Sequence, residues 1–297
     1  MTTPTWLAAD WGTSNMRLWA MGACGAVLGE RTSDKGMGDL NPNAFEGVLI
    51  DVAGDWLTSA RTVVACGMVG SRQGWVEAPY QTAPCAVSPD TMVQAPTTHE
   101  DLIVHIIPGV RQTNPADVMR GEETQIAGFL AQNDGWDGVL CLPGTHTKWV
   151  HVSAGEIVSF RTFMTGEMFA LLSGHSVLRH SIADCGWNED TFLTALSDAM
   201  SKPEALAARL FSIRAGQLVA GTDTVTARAH LSGLLIGAEL AAAKPYWLGQ
   251  RVAIIGADAV CAPYVSGLTA QGVPAPRADA TTMTLAGIKA AHALLKG

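Results

Sequence analysis

The sequence predicts an α/β protein of two similarly built lobes, and three observations carry that reading. The chain has 297 residues, about twice the ~150 that serve as a prior for one domain. A strand–turn–strand–turn–strand pattern near its start returns after residue 137, so that laying Gly12 on Gly144 also lays Thr13 on Thr145 and Leu18 on Val150. Between and after these two meanders, short apolar runs of strand length alternate with longer segments of helical period.

In the first lobe, residues 6–10 form an apolar strand, 11–15 a turn of small and polar residues, and 16–21 a second strand. A turn at 22–25 leads to a third strand at 26–31. Residues 45–60 read as a helix, 63–66 and 102–107 as short buried strands, and the Pro- and Thr-rich stretch 78–98 as an irregular excursion. Helical pattern begins near Gly121 and places Ile126, Phe129 and Leu130 on one face. In the second lobe, strands are expected at 138–142, 148–152 and 156–163, then helices at 167–179, 190–210 and 227–243. A buried strand at 251–255 enters a helix at 258–271 through the tight turn Gly256-Ala257, and a last helix spans 282–295. The expected boundaries are 1–120 for the first lobe, with the closing segment 282–297 packing back on it, and 121–281 for the second.

Composition narrows the class. Hydrophobic residues make up 48% and charged residues 15%, which fits a globular chain with a large core and excludes disorder. The 19 Lys and Arg against 27 Asp and Glu leave a net charge of −8 without a basic run, so no nucleic acid and no membrane surface is expected as a partner. The longest apolar candidate for a membrane span, 231–243, contains Glu239. No basic residue precedes Arg17, unlike a secretory signal. The six cysteines show no C-x-x-C spacing, which argues for free thiols in a reducing cytoplasm rather than zinc ligands or disulfides. Oligomeric state leaves no legible mark.

Five segments carry candidate chemistry. Asp10 is followed by the small, polar turn Gly12-Thr13-Ser14-Asn15, where backbone N–H groups and hydroxyls can approach an anionic oxygen. An acid facing the same oxygens makes sense with a metal ion between them. At the matching place in the second lobe stands Gly144-Thr145-His146-Thr147-Lys148, two hydroxyls, a Gly and a mobile point charge. Ordinary polar hairpins have this makeup too; two at equivalent positions are harder to dismiss. Glu122 and Glu123 stand at a helix start, where the helix dipole welcomes acids and where one could serve as a general base. Adjacent helical residues point about 100° apart, so at most one faces the reacting atoms. Gly256-Ala257 could contact a nucleotide or merely pack a strand on a helix. Ser71, Arg72 and Gln73, bracketed by glycines and followed by Trp75, suit an anion and hydroxyl site with an apolar wall. Arg161 is a further carboxylate candidate, or one half of a structural ion pair.

Several of these segments resemble a known family. Asp10-Trp-Gly-Thr-Ser-Asn-Met-Arg17, Gly67-Met-Val-Gly-Ser-Arg-Gln-Gly-Trp75 with its continuation to Tyr80, and Val118-Met-Arg-Gly-Glu-Glu-Thr-Gln125 look like 2-dehydro-3-deoxygalactonokinases. So do Leu142-Pro-Gly-Thr-His-Thr-Lys-Trp149, Phe160-Arg-Thr-Phe-Met-Thr-Gly-Glu167 and residues 231–237. The resemblance implies two ribonuclease-H-like lobes of the sugar kinase, Hsp70 and actin superfamily, with ATP and a sugar acid in the cleft between them. It makes Gly12 to Asn15 and Gly144 to Lys148 the two phosphate loops and sets Gly256-Ala257 beside adenosine.

The implied reaction moves the γ-phosphoryl of ATP to the terminal hydroxyl of 2-dehydro-3-deoxy-D-galactonate, with Mg²⁺ tied through water to Asp10. Glu122 or Glu123 would orient and deprotonate that hydroxyl. Superfamily members place the acid either here or in the second phosphate loop, and this loop has His146 and no acid. Glu122 is the preferred base. Arg72, with Ser71 and Gln73, would fix the sugar acid. A phosphohydrolase using water as acceptor, or a non-catalytic nucleotide or sugar-acid sensor, are the competing classes.

Overall fold

A computed structural model describes residues 3–295, which divide into two compact units. The first comprises residues 3–137, Val152–Ser159 and 280–295; the second comprises Gly138–His151 and Phe160–Asp279. Residues 1, 2, 296 and 297 of the expected lobe ranges lie outside the described residues.

The first unit is built on the meander β1 (Trp6–Trp11), β2 (Met16–Met21) and β3 (Val27–Ser33). β1 and β2 pair antiparallel from Trp6–Met21 to Trp11–Met16, and β2 pairs antiparallel with β3. Helix α1 (Phe45–Ala53) stops at Gly54, whose φ is 52°, and the chain tightens into a 3-10 turn over Gly54–Thr58. The helix expected over 45–60 is therefore shorter in its α form. β4 (Thr62–Cys66) lies parallel to β1. The stretch expected to be irregular contains three two-residue strands, β5 (Gln81–Thr82), β6 (Cys85–Ala86) and β7 (Val93–Gln94). With β8 (Ile103–Ile106) the main sheet has the order β3-β2-β1-β4-β8-β7. β9 (Val110–Thr113) and β10 (Ala116–Met119) join β5 in a small sheet that leads into helix α2 (Glu122–Gln132).

Alternation along β1 builds both faces of this sheet, as the period of two requires. Leu7, Ala9 and Trp11 pack with Phe45 and Leu49 of α1, while Trp6 and Ala8 pack with Ile288 and Ala291 of the last helix, α9 (Ala280–Leu294). Helix α2 packs along α9. That contact carries the first unit on to residue 137, beyond the boundary expected after 120, which rested on where the helical pattern begins.

The second unit repeats the plan. β11 (Gly138–Leu142), β12 (Thr147–Ser153) and β13 (Glu156–Phe163) form its meander; α3 (Thr165–His175), α4 (Glu189–Ser201), α5 (Leu206–Ala220), α6 (Thr224–Ala242) and α7 (Lys244–Trp247) follow. β14 (Val252–Ile255), α8 (Asp258–Ala270) and β15 (Arg277–Ala278) complete it. Read from β13, the strand order β13-β12-β11-β14-β15, with β11, β14 and β15 parallel, matches the order β3-β2-β1-β4-β8 of the other sheet. The single helix expected over 190–210 is two helices, because Pro203 starts a new turn after Lys202 and removes an interior donor. Asn188 and Asp223 cap α4 and α6 through their side chains. Phe192 and Leu196 of α4 meet Ala229, Ile236 and Leu240 of α6 over β11 and β14. No described helix is long and apolar enough to cross a membrane.

Candidate active site

In the first unit, three chain segments converge at the ends of β1 and β4. Asp10 ends the buried run of β1 opposite Arg17 of β2 and Cys66 of β4. Burial raises its carboxyl above the ordinary carboxylate range, against the pull of Arg17. Cys66 Sγ lies 3.8 Å from Asp10 Oδ1. The following turn is closed by Gly12 N donating to Asn15 O at 2.9 Å, with Thr13, Ser14 and Asn15 exposed at its tip. Gly67 and Gly121 both take positive φ, 91° and 106°, a region that side-chain-bearing residues avoid. A Cβ on Gly67 would stand 2.8 Å from Trp11 O, and one on Gly121 would stand 3.6 Å from Gly67 Cα. These two glycines bring the start of α2 against the β1 and β4 ends.

The two acids at that helix start are held differently. Glu123 is 3% exposed; both its oxygens accept from Gly121 N, at 2.9 and 2.7 Å, and Oε1 also accepts from Thr124 Oγ1 at 3.0 Å. Burial, with Glu122 beside it, pushes its carboxyl up to about 8. Glu122 is half-buried and accepts from Arg120 N at 3.1 Å.

The loop after β4 does not deploy its residues as a single patch. Arg72 is 80% exposed and pairs with Glu77 at 3.5 Å, and Gln73 is exposed. Ser71 is buried. Trp75, expected as an apolar wall, sits in the core against Trp11 and Phe45 and donates Nε1 to Pro96 O at 3.1 Å.

In the second unit, the turn between β11 and β12 opens onto a cavity of about 540 Å³, the size of ordinary small-molecule pockets. Gly144, Thr165, Gly166, Trp187, Val260 and Tyr264 are among its lining. His146 Nε2 meets Glu167 Oε2 at 2.6 Å, and Thr145 O accepts from Glu167 N at 2.9 Å, so the turn is tied to the start of α3. Lys148 is buried, with Nζ 3.4 Å from His146 O. Thr147 Oγ1 lies 2.9 Å from Tyr264 Oη, which donates to Glu239 Oε2 at 2.8 Å. Trp149 Nε1 donates to Glu239 Oε1 at 2.7 Å, and Thr165 also hydrogen-bonds that carboxyl. Burial pushes Glu239 up to about 7 against these bonds. One buried carboxyl thus ties together the turn, the pocket wall and α3.

Gly256 is buried against Cys261 and Ala257 is exposed; the cavity lining instead takes up the chain from Ala259 to Tyr264. Arg161 is exposed near the end of β13. Trp187 and Tyr264 were not singled out from sequence, Thr165 entered only within the segment 160–167, and Glu239 only as an acid in an apolar stretch. These four come from separate segments of the chain, and only folding brings them together.

A family model described as 2-keto-3-deoxy-galactonokinase matches residues 10–291. The chain belongs to that family. It is 39% identical to a protein of Rhizobium meliloti (strain 1021) named probable 2-dehydro-3-deoxygalactonokinase DgoK1, covering 98% of each. It is 34% identical to the 2-dehydro-3-deoxygalactonokinase of Escherichia coli (strain K12), covering 98% of this chain and 99% of that one. A crystal structure of a Sinorhizobium meliloti protein provisionally named as the same kinase superposes with a TM-score of 0.91 at 36% identity, over 98% and 99% of the two chains. The dehydratase activator of Clostridium difficile, at 11% identity and a TM-score of 0.54, shares the fold alone. That fold is the sugar kinase, Hsp70 and actin type expected from the motifs, and a kinase of this family uses ATP.

Proposed function

We propose that the chain transfers the γ-phosphoryl group of ATP to the terminal hydroxyl of 2-dehydro-3-deoxy-D-galactonate, giving the 6-phosphate in galactonate catabolism in the cytoplasm. The observation that carries this reading is the half-buried Glu122, at the start of α2 beside the Asp10 and Gly67 ends, in a chain of this kinase family. Glu122 takes the proton of the acceptor hydroxyl, whose oxygen forms the bond to the γ-phosphorus as the bond to the β–γ bridging oxygen breaks and ADP leaves. Glu123 is a poorer base, because its oxygens are turned back onto Gly121 N and burial keeps it protonated below about pH 8. Ser71, buried in the loop after β4, serves the sugar acid, whereas Arg72, Gln73 and Arg161 are exposed to solvent.

The cavity lined by Gly144 and Tyr264 takes the nucleoside of ATP, next to Gly256-Ala257. The turn Gly144 to His146 and, in the first unit, the turn Gly12 to Asn15 offer backbone N–H groups and the Thr145 hydroxyl to phosphate oxygens, whereas Thr147 and Lys148 are buried, Thr147 against Tyr264.

Mg²⁺ fits the donor set in a limited way. Among the described residues no group of three or more His, Cys, Asp or Glu could cage a metal, and Asp10 has Arg17 opposite it on β2 and one long contact from Cys66. A single carboxylate suits an ion carried largely by phosphate oxygens. Asp10 would hold it through water, and the bound ion would neutralise charge on the phosphates.

A coupled assay of ADP release tests the proposal. Release should depend on 2-dehydro-3-deoxy-D-galactonate and be slower with the parent hexonates. Release as fast with no sugar acid as with it would reject the kinase reading in favour of a phosphohydrolase; no release under any condition would favour the sensor.

A further inference from the structure

Arg120 is 9% exposed, yet the fold leaves most of its guanidinium unused. Nη2 donates to Ala78 O at 2.8 Å, and the group lies 4.3 Å from the centroid of the Tyr80 ring. Nε and Nη1 are buried without a hydrogen-bond partner among the described residues. None of the ion pairs among those residues involves Arg120. Glu123 turns both its oxygens onto Gly121 N, and Glu122 turns Oε2 onto the backbone N–H of Arg120 rather than onto its guanidinium. Ser71 Oγ is likewise buried without a partner, on a residue 5% exposed. The two groups flank one residue: Ser71 follows Gly70, and a Cβ on Gly70 would stand 2.9 Å from Arg120 Nη1.

A guanidinium cannot shed its proton at any ordinary pH, and a buried cation without a counter-charge is costly. The missing counter-charge is then one that arrives from outside the protein. We infer that Arg120 and Ser71 form the subsite that reads the carboxylate of the sugar acid, an inference that rests on the function proposed above. A planar carboxylate matches guanidinium donors, and a desolvated pair discriminates more strongly than an exposed one. Arg72 and Arg161 are exposed to solvent, which screens them. Part of the cover over Arg120 is the half-buried Tyr80 ring rather than backbone, and a rotation of that ring would open the guanidinium to the acid group.

The test compares Arg120→Lys, Ser71→Ala and Arg72→Ala on two substrates, 2-dehydro-3-deoxy-D-galactonate and its analogue with the carboxylate reduced to an alcohol. Arg120→Lys keeps the charge but not the planar donors, and should lower kcat/KM for the acid by about 10- to 150-fold. It should leave the analogue and the KM for ATP nearly unchanged. If Arg120→Lys fails to fold, Ser71→Ala decides: removing an unpartnered hydroxyl should not lower Tm, and it should produce a smaller loss confined to the acid. Equal losses on both substrates, no loss in Ser71→Ala, or an acid-specific loss in Arg72→Ala instead would overturn the subsite. A wild-type enzyme that releases ADP with neither compound would overturn the kinase reading and the subsite with it.

Discussion

Glu122 and Glu123 are adjacent, chemically identical and fated differently by the first turn of α2. Removing the proton acceptor from the reacting hydroxyl should cost chemistry rather than binding, so Glu122→Gln should lose about 10²-fold in kcat with little change in the KM for ATP. Glu123→Gln should keep most of its activity and change stability instead. Burial raises the folded Glu123 from an ordinary 4.5 to about 8. Between those values the folded chain holds a proton that the unfolded chain has released, so stability falls as pH rises through this window and levels off above it. Glu123→Gln should therefore flatten the pH dependence of the unfolding free energy, read by urea titration, between about 5 and 8, by up to about 1.4 kcal/mol per pH unit. An inactive Glu123→Gln beside an active Glu122→Gln would move the base by one residue. Which acid faces substrate was not legible in sequence, because the choice depends on the bonds to Gly121 N that only the folded turn makes.

At the scale of elements, α2 and α9 are packed almost backbone to backbone. A Cβ on Gly128 of α2 would stand within bonding distance of Met283 O of α9, and one on Gly287 would do the same to Thr124 O. The obstructing atoms are main-chain carbonyls and cannot rotate aside. Gly128→Ala should thus separate the helices and cost about 1–3 kcal/mol of stability, read from the urea midpoint. Because Glu122 rides on the first turn of α2, kcat should fall as well. A variant as stable and active as wild type would show that α2 does not depend on this contact. The small residues that allow it stand 159 positions apart in the chain, so no local pattern announces it. Helix lengths failed for simpler reasons: Gly54 and Pro203 ended helices that apolar periodicity alone carried onward.

For the whole molecule, repetition was the most informative sequence signal. The turn Gly12 to Asn15 and residues Gly144 to His146 of its match fall between the first and second strands of two sheets with a common strand order, while Thr147 and Lys148 already open β12. Periodicity suffices there because alternation and a small-residue turn are local properties. The cavity of the second unit escaped the sequence, since Thr165 of α3, Trp187 before α4 and Tyr264 of α8 meet only after those elements have packed. The unused donors of Arg120 escaped it for the same reason. Trp75 shows the converse: its neighbours in sequence pointed to a pocket wall, while its size and the Pro96 carbonyl draw it into the core. The central claim is that phosphate leaves ATP for the far end of a sugar acid. Proton-coupled phosphorus NMR of a reaction of the purified protein with ATP, Mg²⁺ and 2-dehydro-3-deoxy-D-galactonate tests it most directly. A new phosphomonoester signal split into a triplet by the two protons on the terminal carbon is the expected result. Growth of the inorganic phosphate singlet alone, or a doublet from phosphate on a carbon bearing one proton, would contradict it.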